Sequence, residues 1–173
     1  NLPNRTMLRE ELQKTISDAS RDKSRFALCF IDLNRFKEVN DTFGHQYGDE
    51  LLIEVARRLR AVVRTSDIVA RLGGDEFAVL LTGLDSRDTV VAAASRIVAE
   101  MQQPFRLDDM NVTVSVSVGI ACCPDDGSDE VVLTRNADAA MYAAKEGGRS
   151  TYRFYQWEMT RAVRDRLLLE QRM

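Results

Sequence analysis

Apolar positions along this chain change period from segment to segment, and the changes outline its elements. Met7, Leu8, Leu12, Ile16 and Ala19 recur at helical spacing and predict a helix over 5–19, opened by Pro3 and Asn4. Phe26 to Ile31 is a short continuous apolar run bounded by charge, the mark of a strand covered on both faces. Leu51, Leu52, Val55, Leu59, Val62 and Val63 form one stripe of a helix over 48–63. The apolar runs Ile68–Leu72 and Phe77–Leu81 flank Gly73-Gly74 and predict a β-hairpin, because glycine accepts the positive φ of a tight turn. Val90, Val91, Ala94, Ile97, Val98 and Met101 fill the inner face of a helix over 86–103, which Pro104 ends. Val112, Val114, Val116, Val118 and Ile120 alternate with Thr113, Ser115, Ser117 and Gly119, a period-two strand. A helix over 128–146 closed by Gly147-Gly148, a short strand Thr151–Tyr155 and a charged helix from Gln156 complete the series.

Strands and helices mix without strict alternation, which predicts an α+β fold (an α/β sandwich). Its central, mostly antiparallel sheet would carry helices on both faces. The 173 residues suit one domain, and 45% apolar residues suffice for a core. Lys plus Arg is 24 against 27 for Asp plus Glu, so no nucleic-acid polymer is expected as a partner. A small polyanion would need local cations or metal ions to hold it. No apolar run reaches the roughly 20 residues of a membrane span, and the first dozen residues lack a signal-peptide core. No membrane contact by this domain is expected. The first residue is not Met, so the sequence reads as a piece of a longer protein. Cys29 and the neighbours Cys122 and Cys123 offer no C-x-x-C spacing, which argues against a disulfide framework or zinc site and for a reduced, cytoplasmic setting.

Candidate chemistry gathers at strand ends. Asp32 follows the buried run, and Asp75 and Glu76 lie at the hairpin turn, so a hairpin beside the first strand would bring three carboxylates together. Hard divalent ions such as Mg²⁺ take such oxygen ligands and leave positions for substrate phosphates. For any one carboxylate alone the reading as a solvated turn residue wins; convergence of the three shifts the balance toward a metal, and spacing leaves both readings open. Lys37 and Asn40 stand one helical turn apart, suited to a phosphate and a base edge respectively, although an isolated lysine is usually just solvated. His45 is the one histidine and reads locally as a surface or capping residue; Asp49 reads as a first-turn helix charge, and Lys145 and Arg149 as cations near a helix C-terminus. Residue patterns thus reach a phosphate-handling metal site and no reaction.

Arg71-Leu72-Gly73-Gly74-Asp75-Glu76-Phe77 resembles, letter for letter, the signature of the GGDEF family of diguanylate cyclases. Further segments resemble the family in the same order: Leu2-Pro3-Asn4-Arg5, Phe30-Ile31-Asp32 through Asn34-Arg35-Phe36-Lys37 with Asn40-Asp41, Gly44-His45 with Gly48-Asp49, and Ser117-Val118-Gly119-Ile120. Ala137-Asp138, Met141-Tyr142, Ala144-Lys145 and Gly148-Arg149 continue the match, which spans about residues 1–155. Ser150 stands where the family usually has Asn.

The resemblance implies a palm-like sheet akin to nucleotidyl cyclases and condensation of two GTP into cyclic di-GMP and two pyrophosphates. By position, Asp32, the Leu33 carbonyl, Asp75 and Glu76 would hold two Mg²⁺, or Mn²⁺ in their place. Asp75 would also serve as base for the 3′-hydroxyl, and Lys37 would stabilise phosphate charge. Asn40 and Asp49 would read guanine with His45 near the nucleotide, Gly73 and Gly74 would admit phosphates close to the backbone, and Lys145 and Arg149 would clamp the terminal phosphates. One GTP per domain makes a homodimer necessary for turnover. Arg64-Thr65-Ser66-Asp67 matches the family's R-x-x-D site, so Arg64 and Asp67 would bind cyclic di-GMP as inhibitor. Residues 156–173 look like a connector to an EAL phosphodiesterase domain in a parent chain that could itself be membrane-anchored. Two rival readings are a catalytically silent GTP- or cyclic di-GMP-binding module controlling that neighbour, and a purely structural dimerisation domain.

Overall fold

The computed structural model describes residues 2–148 and 151–156. The expected connector helix lies, from residue 157 on, outside the described residues, as does Arg149. The elements run α1 (Arg5–Asp22), β1 (Phe26–Asn34), α2 (Phe36–Phe43), α3 (His45–Val62), β2 (Ile68–Gly73), β3 (Glu76–Leu81), α4 (Arg87–Gln102), β4 (Phe105–Leu107), β5 (Met110–Val112), β6 (Ser115–Cys123), α5 (Glu130–Glu146) and β7 (Thr151–Phe154). Five strands form the main sheet in the order β2-β3-β1-β6-β7, while β4 and β5 make a separate hairpin. The pairs β2–β3, β3–β1 and β1–β6 are antiparallel, and β7 alone joins in parallel. The expected α+β sandwich with a mostly antiparallel sheet is the observed one.

Period two along β1 divides the core in two. Ala27, Cys29, Ile31 and Leu33 face the layer of α2, α3 and α4 with Leu51, Val55, Leu59, Val90 and Ile97. Phe26, Leu28 and Phe30 face the other way, onto Leu8 and Leu12 of α1 and Leu133, Ala137 and Met141 of α5. β1 is buried along its whole length, as a strand with neighbours on both sides and helices on both faces must be.

Three boundaries differ from expectation. β1 runs past Ile31 to Asn34, so Asp32 lies inside the strand rather than after it. α3 begins at His45, with Gly44 at φ 96 as its cap, so Asp49 stands in the second turn. The period-two run from Val112 to Ile120 is broken at residues 113–114, and its first part pairs back on β4. Arg58 of α3 organises that extra hairpin. Its guanidinium donates to the carbonyls of Glu100 and Gln103 at 3.0 and 2.8 Å and lies 3.6 Å above the Phe105 ring.

Candidate active site

The end of β1 is the centre of the site. Asp32 pairs across the sheet with Glu76 on β3 and Ser117 on β6, and is only 5% exposed. The β2–β3 turn consists of Gly74 and Asp75, with Gly73 at φ 142 and Gly74 at φ 50, conformations that a side chain would oppose. Two bonds fix this turn: the Leu33 N–H donates to the Asp75 carbonyl at 3.1 Å, and the Arg71 guanidinium donates to the Gly74 carbonyl at 2.9 Å. The hairpin is thereby tied to β1, which sets Asp75 and Glu76 beside Asp32, although among the described residues no three acidic side chains stand close enough together to grip a metal ion as they are.

Their electrostatics record that closeness. Burial, then the neighbouring Asp32 carboxylate, holds Asp75 above the ordinary carboxylate range. Glu76 is raised by burial first and next by Asp32 and Asp138. Asp138 of α5 is itself raised by burial, with Arg5 opposing. Sequence reasoning named Asp138 without giving it a role. Its place two helical turns before Lys145, on the same face of α5, is the signal that could have found it.

Lys145 donates from Nζ to Asp32 Oδ2. Asp32 Oδ1 is buried and has no hydrogen-bond partner among the described residues. An ionised oxygen in that position is costly unless a cation or donor meets it. The donor set of a carboxylate pair plus a backbone carbonyl at Leu33 fits a hard divalent cation. Behind it, the Ser117 hydroxyl donates to Asn34 Oδ1 at 3.2 Å and Asn34 Nδ2 donates to Ser115 Oγ at 2.9 Å, a buried polar bridge between β1 and β6.

α2 and α3 present the second group. Lys37 is exposed in the first turn of α2, and Asn40 lies one turn on. The Asn40 side chain rests directly over Gly48 of α3, where an added Cβ would lie 1.8 Å from Oδ1. Asn40 Oδ1 is likewise a buried acceptor without a hydrogen-bond partner among the described residues, suited to an N–H of a base. His45 is exposed as the first residue of α3, and Asp49, also exposed, lines an open cleft of about 930 Å³ with Leu2, Leu52, Arg60, Arg71 and Phe77. A second cleft, about 710 Å³, lies at the opposite end of β1 and β6 beside Lys23, Arg25 and Cys123.

Arg64 and Asp67 occupy the α3–β2 turn, away from the carboxylates. Asp67 is 3% exposed and accepts from the Arg64 and Thr82 N–H groups at 2.9 and 3.1 Å, so its carboxylate already braces the turn against the end of β3. Arg64 is half exposed, 3.6 Å from Asp67, and its guanidinium donates to the Thr82 carbonyl.

The profile of the diguanylate cyclase GGDEF domain matches residues 1–151. The chain belongs to the GGDEF family. It is 46% identical over 168 residues to MucR of Pseudomonas aeruginosa, a bifunctional diguanylate cyclase/cyclic di-GMP phosphodiesterase, covering 97% of this chain and 24% of MucR. It is 42% identical over 166 residues to the diguanylate cyclase TpbB of the same species, covering 95% of this chain and 38% of TpbB. The chain therefore spans well under half of these curated relatives. The solved GGDEF domain of TpbB superposes with a TM-score of 0.91 at 42% identity, over 94% of this chain and 95% of that one. The GGDEF domain of DgcB from Caulobacter crescentus, solved in complex with c-di-GMP, superposes with a TM-score of 0.80 at 31% identity, covering 89% and 91%.

Proposed function

We propose that this GGDEF domain is an active diguanylate cyclase that joins two GTP molecules into cyclic di-GMP with release of two pyrophosphates. The observation that carries this reading is the buried Asp32 carboxylate, with one oxygen unpartnered, set among Asp75 and Glu76 under a glycine turn. Asn40 supplies the matching observation for the base, a buried acceptor with no donor among the described residues.

Asp32, the Leu33 carbonyl, Asp75 and Glu76 would hold two divalent ions, Mg²⁺ or Mn²⁺. Such ions polarise the α-phosphate, favour ionisation of the attacking 3′-hydroxyl and neutralise the departing pyrophosphate. Asn40 and Asp49 orient the guanine, with His45 beside the nucleotide. Lys37, Lys145 and Arg149 balance phosphate charge, and Gly73 and Gly74 let the triphosphate approach the backbone. Asp75 would also accept the proton of the attacking hydroxyl.

Each domain supplies one nucleotide, so product forms between two copies with their β1 ends facing. Arg64 offers a guanidinium fork to product at the R-x-x-D turn, where binding would inhibit, and the c-di-GMP complex of DgcB supports binding of this product by a GGDEF domain. Because Asp67 is committed to backbone N–H groups, Arg64 carries most of that contact. MucR's name, a cyclase joined to a cyclic di-GMP phosphodiesterase, supports a phosphodiesterase partner, of the EAL kind, in the parent chain. Among the described residues no helix is long and apolar enough to cross a membrane, and GTP as substrate implies a cytoplasmic setting.

The test is cyclic di-GMP formation from GTP and Mg²⁺ by the domain held in dimers through a fused coiled coil, with Asp75→Asn as control. Product that vanishes in the control supports the cyclase. GTP binding without product, even when dimerised, overturns it.

A further inference from the structure

Lys145 and Asp32 have so far been given different tasks, one toward phosphate and one toward a divalent cation, yet they touch each other. Lys145 Nζ donates to Asp32 Oδ2. An ammonium and a divalent ion on one carboxylate, a few ångströms apart, repel, and the repulsion is strong where water is excluded. With Oδ1 open to the cation and Oδ2 held by the ammonium, each weakens the other's hold on Asp32, and the freer partner is the one to yield.

The two partners differ in freedom. The Asp32 side chain is 7% exposed and held in mid-sheet between β3 and β6, whereas that of Lys145 is 39% exposed, on a long stem in the last turn of α5. The helix under Lys145 is fixed. A Cβ at Gly119 would lie 2.0 Å from the Met141 amide nitrogen and 2.3 Å from the Ala137 carbonyl oxygen, so the backbones of α5 and β6 are in contact. Lys145 can leave Asp32 only by turning its own side chain outward, toward the mouth of the site.

The geometry points to a counter-ion exchange: Lys145 and a divalent cation compete for Asp32, and the ammonium that the cation displaces is delivered to the triphosphate. Metal and nucleotide are then coupled through one lysine, beyond the charge they share directly. The inference rests on the reading of the site as one for a nucleoside triphosphate with divalent cations. Linkage makes it measurable, since a competitor that is removed must raise the affinity of the ligand it opposed.

The experiment is calorimetric titration of the dimerised domain with Mn²⁺ alone, no nucleotide being present. Lys145→Met and Lys145→Gln should each bind Mn²⁺ about fivefold or more tightly than the parent, within the ordinary range of such couplings. Lys145→Arg should stay within about twofold, and Lys14→Met, which removes an exposed charge on α1, should not differ. Unchanged or weaker Mn²⁺ binding in both Lys145→Met and Lys145→Gln overturns the exchange, as does equal tightening in Lys14→Met. A second titration uses a GTP analogue with a methylene bridge between the α- and β-phosphates, at saturating Mn²⁺, where Lys145→Met should bind more weakly than the parent. Failure of the parent itself to bind the analogue overturns the nucleotide reading, while the Mn²⁺ comparison still decides whether Lys145 competes.

Discussion

Gly48→Ala separates ligand binding from folding in a single methyl group. The new Cβ would stand 1.8 Å from Asn40 Oδ1 and 2.8 Å from its Cγ, so the amide must swing away. What moves is the far end of a side chain and not backbone, and an alanine inside α3 gains about 1 kcal/mol of helix propensity over glycine. These effects oppose each other, and stability should change by no more than about 1 kcal/mol. Binding has no such compensation. If Asn40 Oδ1 accepts from guanine where it now stands, losing that contact costs about 1–3 kcal/mol, or about fivefold to 150-fold in affinity. Calorimetry with the methylene-bridged GTP analogue and Mg²⁺, paired with a urea unfolding curve, reads both quantities on one sample. Preference for the guanine analogue over its adenine counterpart should fall with the affinity. Affinity within twofold of the parent would refute the placement of the base against Asn40.

Other outcomes follow from the same contacts. Gly119→Ala meets backbone atoms of α5 at 2.0 and 2.3 Å, which cannot rotate away, so urea unfolding should show a loss of about 1–3 kcal/mol. Asp75 and Glu76 are both raised, so their contribution to stability is full below the ordinary carboxylate range and lost as pH climbs through the raised values. A cation that neutralises them restores it, and the rise in Tm on adding Mn²⁺ should be larger at pH 7 than at pH 5; an equal rise would count against these ligands. Burial pushes the Cys122 thiol up to about 11, and Cys29 is raised further by full burial. Iodoacetamide should therefore label the folded domain slowly at pH 8, with fast labelling appearing only on unfolding.

Much of the frame was legible because its signals are local. The buried run at Phe26–Ile31, the stripe from Leu51 to Val63 and the glycine pair at 73–74 each state their element within a few residues. What escaped depends on distant partners. β1 continues through Asp32 and Asn34, polar residues buried because Lys145, Ser117 and Ser115 receive them from elsewhere in the chain. The β4–β5 hairpin has three-residue strands, too short for a periodicity, and is held by Arg58 from α3. The nearness of Asp75 and Glu76 to Asp32 follows from the hairpin lying beside β1, as the glycine turn suggested, whereas the role of Asp67 as a brace had no such signal. R-x-x-D spacing says nothing about which N–H groups surround the aspartate.

The two margins of the main sheet bear on how copies of this domain can meet. On one side β2 bulges at Leu72, and the Arg71 N–H is already taken by the Pro3 carbonyl. On the other, β7 has four residues and carries Thr151 and Arg153. Among the described residues, neither margin offers a long, open ladder for another strand to extend. The encounter between two domains proposed above would then rest on side chains and shared ligands rather than on continuous backbone pairing. A union of that kind would form and come apart without the domains fusing into a common sheet.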